Sequence, residues 1–169
     1  MLLHNKTEKR FLKLWVLEMM TKKNKWIPKL ASGQHLGAWG LTENNSGSDA
    51  SGMSSTAVKK GDDWVLNGTK NWITNGNSAS IYLVIAQTDP SLGHKGINAF
   101  IVEKETTGVI VGKKEDKLGI RGSDTHSIMF NDVQVPKENR IGEDGFGFSF
   151  AMKTLSGGRI GIAAQALGI

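Results

Sequence analysis

Two stretches of this sequence carry side chains whose types and spacing could do chemistry. The first, Gly40-Leu41-Thr42-Glu43-Asn44-Asn45-Ser46-Gly47-Ser48-Asp49, is a short apolar run that breaks into a loop of hydroxyls, amides and glycine. The second, Trp72-Ile73-Thr74-Asn75-Gly76, ends a β-type run with a large aromatic, a hydroxyl and a turn. Small residues let backbone N–H groups approach a ligand closely. Thr42, Ser46 and Ser48 add hydroxyls that donate to carbonyl or phosphate oxygens. An indole beside such donors makes a flat apolar wall with polar edges, which is what a bound aromatic cofactor requires. On composition alone the loop is equally a Ser/Asn/Gly turn between strands, and Trp72 equally a core residue.

Other chemistry-bearing residues read as structural. Glu43 belongs to the loop and reads as a local hydrogen-bond acceptor rather than a base. Glu103, Glu105 and the Asp62-Asp63 pair fall at solvated strand ends and turns, and His4, His35, His94 and His126 show no metal-ligand spacing. The glycines of Gly142-Glu143-Asp144-Gly145-Phe146-Gly147 lack the strand-then-helix context of a dinucleotide fingerprint. The chain has no cysteine, which excludes disulfides, zinc ribbons and thiol catalysis and fits a reducing compartment.

The elements that must position these residues follow from periodicity. Thr56-Ala57-Val58, Trp64-Val65-Leu66, Ile81 to Ala86, Ile97 to Val102, Val109-Ile110-Val111 and Ser127 to Val135 are short β-type runs. Between them lie turn signals at Lys60-Gly61-Asp62, Asn67-Gly68, Asn75-Gly76, Asp89-Pro90 and Thr107-Gly108. Many strands at short spacing without intervening helices predict a mainly β fold, an antiparallel barrel or sandwich flanked by short N- and C-terminal helices. The N-terminal helix is predicted from Phe11, Leu14, Trp15 and Met19 on one face, ended or kinked at Pro28. The C-terminal one follows the stripe Phe148, Met152, Leu155, Ile162, Ala163, Ala166 and Leu167, weakened at Gly157-Gly158.

At 169 residues the chain is long enough for one domain with a sizeable core. The net charge of +5 does not spread over the body: residues 1–30 hold eight Lys/Arg against two acids, and residues 31–169 hold thirteen against fourteen. Nucleic-acid binding is therefore not expected. No apolar run reaches the roughly 20 residues of a membrane-spanning helix, and no secretory signal pattern is evident. An amphipathic organellar presequence stays open, with Glu8 and Glu18 against it.

The run from Gly40 through Gly52 resembles the flavin-and-substrate loop of the acyl-CoA dehydrogenase family. Asn67-Gly68-Thr69-Lys70-Asn71-Trp72-Ile73-Thr74-Asn75-Gly76 resembles that family's next strand and turn. Lys117 to Thr125 and Phe130-Asn131-Asp132-Val133-Gln134-Val135-Pro136 look like its later barrel segments, and Arg159 to Ile169 like the first helix of its C-terminal bundle, in the style of short-chain, butyryl-CoA-type members. The resemblance runs in order from about Lys22 to the last residue.

That resemblance implies FAD as cofactor, with Trp39, Leu41, Thr42, Gly47, Ser48, Trp72, Ile73 and Thr74 around it. Thr42 would hydrogen-bond the polar edge of the flavin, Trp72 would pack beside the ring, and Thr74 would bond near its hydride-accepting nitrogen. It further implies an acyl-CoA substrate met by Ser48, His94 and Arg159. Where family members often carry an acid three residues before that arginine, this chain has Ser156. The implied reaction is α,β-dehydrogenation of a fatty acyl thioester to the trans-2-enoyl-CoA, as in fatty acid β-oxidation. The implied partners are electron-transfer flavoprotein and further copies of the chain, in a bacterial cytoplasm or mitochondrial matrix. No residue here matches the family's catalytic glutamate, so the chain is expected to be a fragment. Its expected parts are a helical remnant over 1–34, the flavin-binding β-barrel over 35–140 and the first helix of a truncated helical domain over 141–169. A non-catalytic flavin- or acyl-CoA-binding or interaction module is the alternative.

Overall fold

The computed structural model describes residues 24–169. The amphipathic stripe expected at Phe11, Leu14, Trp15 and Met19 lies outside the described residues. Residues 24–31 form helix α1, with Pro28 inside it rather than at its end. A proline there forgoes one bond to the preceding turn. The helix closes only beyond residue 31, where the Ser32 amide bonds the Pro28 carbonyl at 3.0 Å and that of Gly33 bonds Leu30 at 3.2 Å.

From Gly37 onward the regular elements are mostly strands: β1 (Gly37–Gly40), β2 (Thr56–Lys60), β3 (Asp63–Thr74), β4 (Ile81–Gln87), β5 (Ile97–Glu103), β6 (Val109–Lys114), β7 (Thr125–Val135) and β8 (Arg140–Ile141), followed by helix α2 (Phe146–Gly168). The strand order is β6-β7-β3-β2-β4-β5-β8, with β1 added against β4. The mainly β expectation holds. The expected antiparallel barrel or sandwich takes the form of a mixed sheet of eight strands that does not close. The mixed character comes from the chain entering beside β4 in the same direction. β1 pairs parallel with Ile81 to Val84 of β4, and β2 meets the same strand in parallel through Thr56 and Gln87. β1 and β2 therefore lie in line along one side of β4, and residues 41–55 make an excursion between them.

The sheet curls over a first core that draws on both of its halves, including Leu66 and Ile73 of β3, Tyr82 and Val84 of β4, Phe100 of β5 and Ile128 and Val133 of β7. Across that core the Trp64 and Phe100 rings meet edge-on at 5.5 Å. The alternate residues Leu83 and Ile85 of β4 and Ile97 and Ala99 of β5 face a second core, which Ala151, Phe148 and Phe150 of α2 cover. β4 is thus buried on both faces, which is why it reads as an unbroken apolar run.

The glycine run 142–147 serves the docking of α2. A Cβ on Gly147 would lie 2.4 Å from the Asn98 carbonyl carbon, so only glycine admits this approach of helix to β5. The Asn98 side chain accepts from the Gly145 amide at 3.0 Å and donates to Thr88 Oγ1 at 2.8 Å. α2 continues unbroken through Gly157-Gly158, and every residue from Ser156 on is exposed. No described helix is long and apolar enough to cross a membrane.

Asn67-Gly68 does not turn the chain, contrary to its local signal. β3 runs straight through it, because Gly68, at φ +140°, leaves room for Ser55: a Cβ there would meet Ser55 Oγ at 2.2 Å. Asn67 instead bonds the Asp132 side chain at 3.0 Å and the Asp132 amide at 2.8 Å, across a register shift.

Candidate functional site

β3 ends in a bulge. Lys70 pairs with Ile128 and Ile73 with His126, so Asn71 and Trp72 together oppose the single residue Ser127. In a regular strand residues three apart face opposite ways; with the extra residue, Lys70 and Ile73 both point inward and are buried. Trp72 takes a left-handed backbone, φ +60°, and its indole stands 60% exposed. A bulky side chain in that conformation costs energy, and such strain collects at functional positions.

The excursion 41–55 is tied to this bulge. The Asn71 amide donates to the Thr42 carbonyl at 2.8 Å, and Asn71 Nδ2 donates to Asn44 Oδ1 at 2.8 Å. Beneath them lies a buried ion pair: Lys70 Nζ sits 2.6 Å from Glu43 Oε1 and also donates to the Leu41 carbonyl at 3.2 Å. Glu43 accepts further bonds from the Ser54 amide at 2.7 Å, the Ser54 hydroxyl at 2.6 Å and the Ser55 amide at 3.0 Å. Burial alone would raise the Glu43 carboxyl, but the Lys70 ammonium and the two serines outweigh it and hold it at about 2. Burial lowers Lys70 from its ordinary value against the pull of Glu43. Glu43 therefore fills the acceptor role read from its place in the loop.

The far end of β3 is pinned as well. The Asp124 carboxylate accepts from the Asn77 and Ser78 amides at 2.8 and 3.0 Å, Asn75 N bonds Asp124 O at 3.0 Å, and the buried Tyr82 hydroxyl donates to Gly76 O at 2.7 Å. His126 stands 3.8 Å from Asp124, with Nδ1 2.9 Å from Gly112 O.

The structure brings some of the expected site residues together and not others. Thr42 and Trp72 are neighbours through Asn71, and Thr74 follows two residues along the same strand, exposed. Gly47 and Ser48 lie exposed on the loop. Ser46 is committed within it, donating to Asp49 O at 2.7 Å. Leu41 and Ile73 put their side chains into the two cores, and Trp39 packs its ring 5.7 Å from Phe150 of α2. His94 lies exposed with its ring 5.5 Å from Phe148, at the start of α2. Arg159, eleven residues beyond Phe148, is about 16 Å further along that helix at 1.5 Å per residue, so the structure does not bring it to His94. A hollow of about 270 Å³ bordered by Lys114 to Lys117 and Arg121 touches none of these groups. Among the described residues no cluster of His, Asp and Glu could hold a metal.

Sequence reasoning missed Lys70, Asn71 and Asp124. The available signal for Lys70 was a lysine at an inward position of a strand, which demands a buried anion. The Trp72 indole is exposed, and the Thr42, Ser48 and Thr74 hydroxyls make no hydrogen bond among the described residues. An apolar wall with uncommitted donors beside it matches a planar heteroaromatic group with polar edges, so the residues present fit a flavin.

Comparison with known proteins bears on the same residues. Residues 38–133 match the family model of the acyl-CoA dehydrogenase middle domain. The chain is 56% identical over 148 residues to an acyl-CoA dehydrogenase of Bacillus subtilis, covering 88% of this chain and 39% of that protein. It is 54% identical to the mitochondrial short-chain specific acyl-CoA dehydrogenase of Rattus norvegicus, covering 88% and 36%. Among solved structures, butyryl-CoA dehydrogenase from Megasphaera elsdenii superposes with a TM-score of 0.85 at 55% identity, covering 88% of this chain and 39% of that one. A chain from a structural study of the electron transferring flavoprotein of Acidaminococcus fermentans gives 0.84 at 53% identity, covering 88% and 39%. The chain thus spans about two fifths of the length of the relatives it matches.

Proposed function

Because the chain belongs to the acyl-CoA dehydrogenase family, we propose that it forms the flavin- and thioester-facing wall of a short-chain acyl-CoA dehydrogenase, which converts a short fatty acyl-CoA to its trans-2-enoyl-CoA. The observation that carries this reading is the strained, exposed Trp72, bonded through Asn71 to the loop whose Thr42 and Ser48 hydroxyls make no hydrogen bond among the described residues. Trp72 supplies the apolar wall for the ring, and Thr42 and Thr74 supply donors for its polar edges. Ser48 lies on the same loop for the substrate side. FAD, when bound, supplies the acceptor for the β-hydride as the α-proton leaves.

Among the described residues, none at this wall is assigned the acid-base role. Glu43, the buried carboxylate nearest to it, has its oxygens committed to Lys70, Ser54 and Ser55 and an affinity for protons too low for a general base. The chain's own residues bind, orient and exclude water. Of the expected substrate contacts, His94, whose ring lies beside Phe148, and Arg159, about 16 Å beyond Phe148 along α2, belong to this proposal as separate points. Electron-transfer flavoprotein as electron acceptor, in line with the structural study that contains one similar chain, assembly with further copies, and a bacterial cytoplasmic or mitochondrial matrix setting, in line with bacterial and mitochondrial relatives, are parts of the same proposal.

Titration of the 169-residue chain with FAD, followed by flavin absorbance and tryptophan emission, tests the reading. Saturable binding with a shifted flavin spectrum is expected; a flavin spectrum unchanged by excess protein overturns it.

A further inference from the structure

We propose that the Glu43–Lys70 ion pair is a positioning device that locks the excursion 41–55 and the Asn71-Trp72 bulge into one fixed arrangement, and that its charges are needed for this. The inference rests on the function proposed above for what the arrangement serves, and on the geometry alone for the lock itself.

The pair gathers both ends of the excursion onto one side chain of β3. Lys70 Nζ reaches Leu41 O at 3.2 Å and Glu43 Oε1 at 2.6 Å, at the outgoing end. Through Glu43 it is linked to the Ser54 amide at 2.7 Å and the Ser55 amide at 3.0 Å, at the returning end. Lys70 lies two residues before Trp72, on the last regular pairing before the bulge. Its stem also packs against Gly40, where an added Cβ would meet it at 3.3 Å. One lysine therefore fixes where the loop leaves the sheet, where it returns, and where the indole is displayed.

Buried ion pairs are poor sources of stability. Uncharged residues of similar volume often serve the fold as well, while removing one partner leaves a stranded charge. What neutral residues cannot reproduce here is the set of acceptors. Glutamine at position 43 offers one acceptor oxygen and an NH2 group, itself a donor, to a ring of donors, so part of that ring must be released.

The test compares the 169-residue chain with Glu43→Gln, Lys70→Met and the double variant, reading thermal melting, amide exchange and FAD affinity. Each single variant is expected to melt well below the parent. The double variant is expected to regain most of that loss. It should nevertheless exchange the Ser54, Ser55 and Asn71 amides at least tenfold faster and bind FAD at least tenfold more weakly. Parent-like exchange at those three amides in the double variant overturns the proposal, as does faster exchange spread evenly over the sheet. Should the double variant fail to fold, Glu43→Asp, which keeps the charge but shortens the reach, is read instead. Faster exchange confined to Ser54 and Ser55 then supports the lock, and parent-like exchange overturns it. A parent chain that does not bind FAD sinks the functional reading alone, and amide exchange then decides the lock.

Discussion

The Asn71 amide donates to the Thr42 carbonyl at 2.8 Å. This bond joins a residue of the bulge that displays Trp72 to a residue of the hydroxyl-bearing loop, 29 positions earlier in the chain. It makes two segments that look independent in the sequence into neighbours. It also engages a residue that the bulge leaves outside the pairing with β7.

Replacing Trp72 with glycine should separate stability from binding. The left-handed conformation costs a bulky residue roughly 1–2 kcal/mol that glycine does not incur, and the indole is largely exposed. The variant is expected to melt no lower than the parent, while its affinity for FAD falls at least tenfold. Unchanged flavin retention would remove Trp72 from the wall.

The Glu43 carboxyl, held at about 2 against an ordinary 4.5, makes stability fall in acid. Its folded value is depressed, so its contribution is complete above about 4.5 and is lost as pH falls toward 2. The shift corresponds to about 3 kcal/mol. Urea midpoints measured from pH 6 down to 2.5 should drop steeply for the parent and less steeply for Glu43→Gln.

Two glycines of α2 should respond to alanine with opposite signs. Gly157 has no neighbour within 4 Å of an added Cβ, so Gly157→Ala gains helix propensity, roughly 0.5–1 kcal/mol. Gly147→Ala drives a methyl to 2.4 Å from the backbone of Asn98 and should lower the melting temperature by several degrees. Calorimetry on the two variants gives the comparison directly.

Tyr82 is the chain's single tyrosine, so its ionisation can be followed in the ultraviolet without assignment. Burial, with the nearby Glu105 and Asp124 carboxylates, pushes its phenol up to about 12. Because the folded value lies above the ordinary 10, the stabilisation is complete below pH 10 and is lost as pH rises toward 12. Phenolate absorbance is expected only near pH 12 or on unfolding. Tyr82→Phe, which strands the Gly76 carbonyl, should cost about 1–2 kcal/mol.

The sequence revealed what is local. β4 and β5 read as apolar runs interrupted only by Gln87, Asn98 and Glu103 because both faces are covered, and β7 alternates where one face is wet. β1 was not legible, since four residues with two glycines carry no strand signal, and β8 has only two residues. Asn67-Gly68 misled because a turn dipeptide and a close-approach glycine look alike until Ser55 is seen above it. The parallel pairing with β4 depends on a partner some forty residues away from β1, beyond any periodicity. In the site, Thr42, Trp72 and Thr74 could be chosen by residue type. The Glu43–Lys70 contact could not, because 27 positions separate its members and neither flanking sequence encodes their meeting.

The end-to-end placement of β1 and β2 also bears on how the loop can change. β1 ends opposite Val84 and β2 begins opposite Gln87, so the excursion 41–55 departs and returns within about 10 Å, three residues of one strand. Closing so tight a gap over fifteen residues is an entropic cost that grows only with the logarithm of loop length. Insertions or deletions at the exposed tip, around Asn45 and Gly47, would therefore alter the reach of the loop while barely disturbing the sheet. A scaffold wired this way can vary what it grips without refolding what holds the grip.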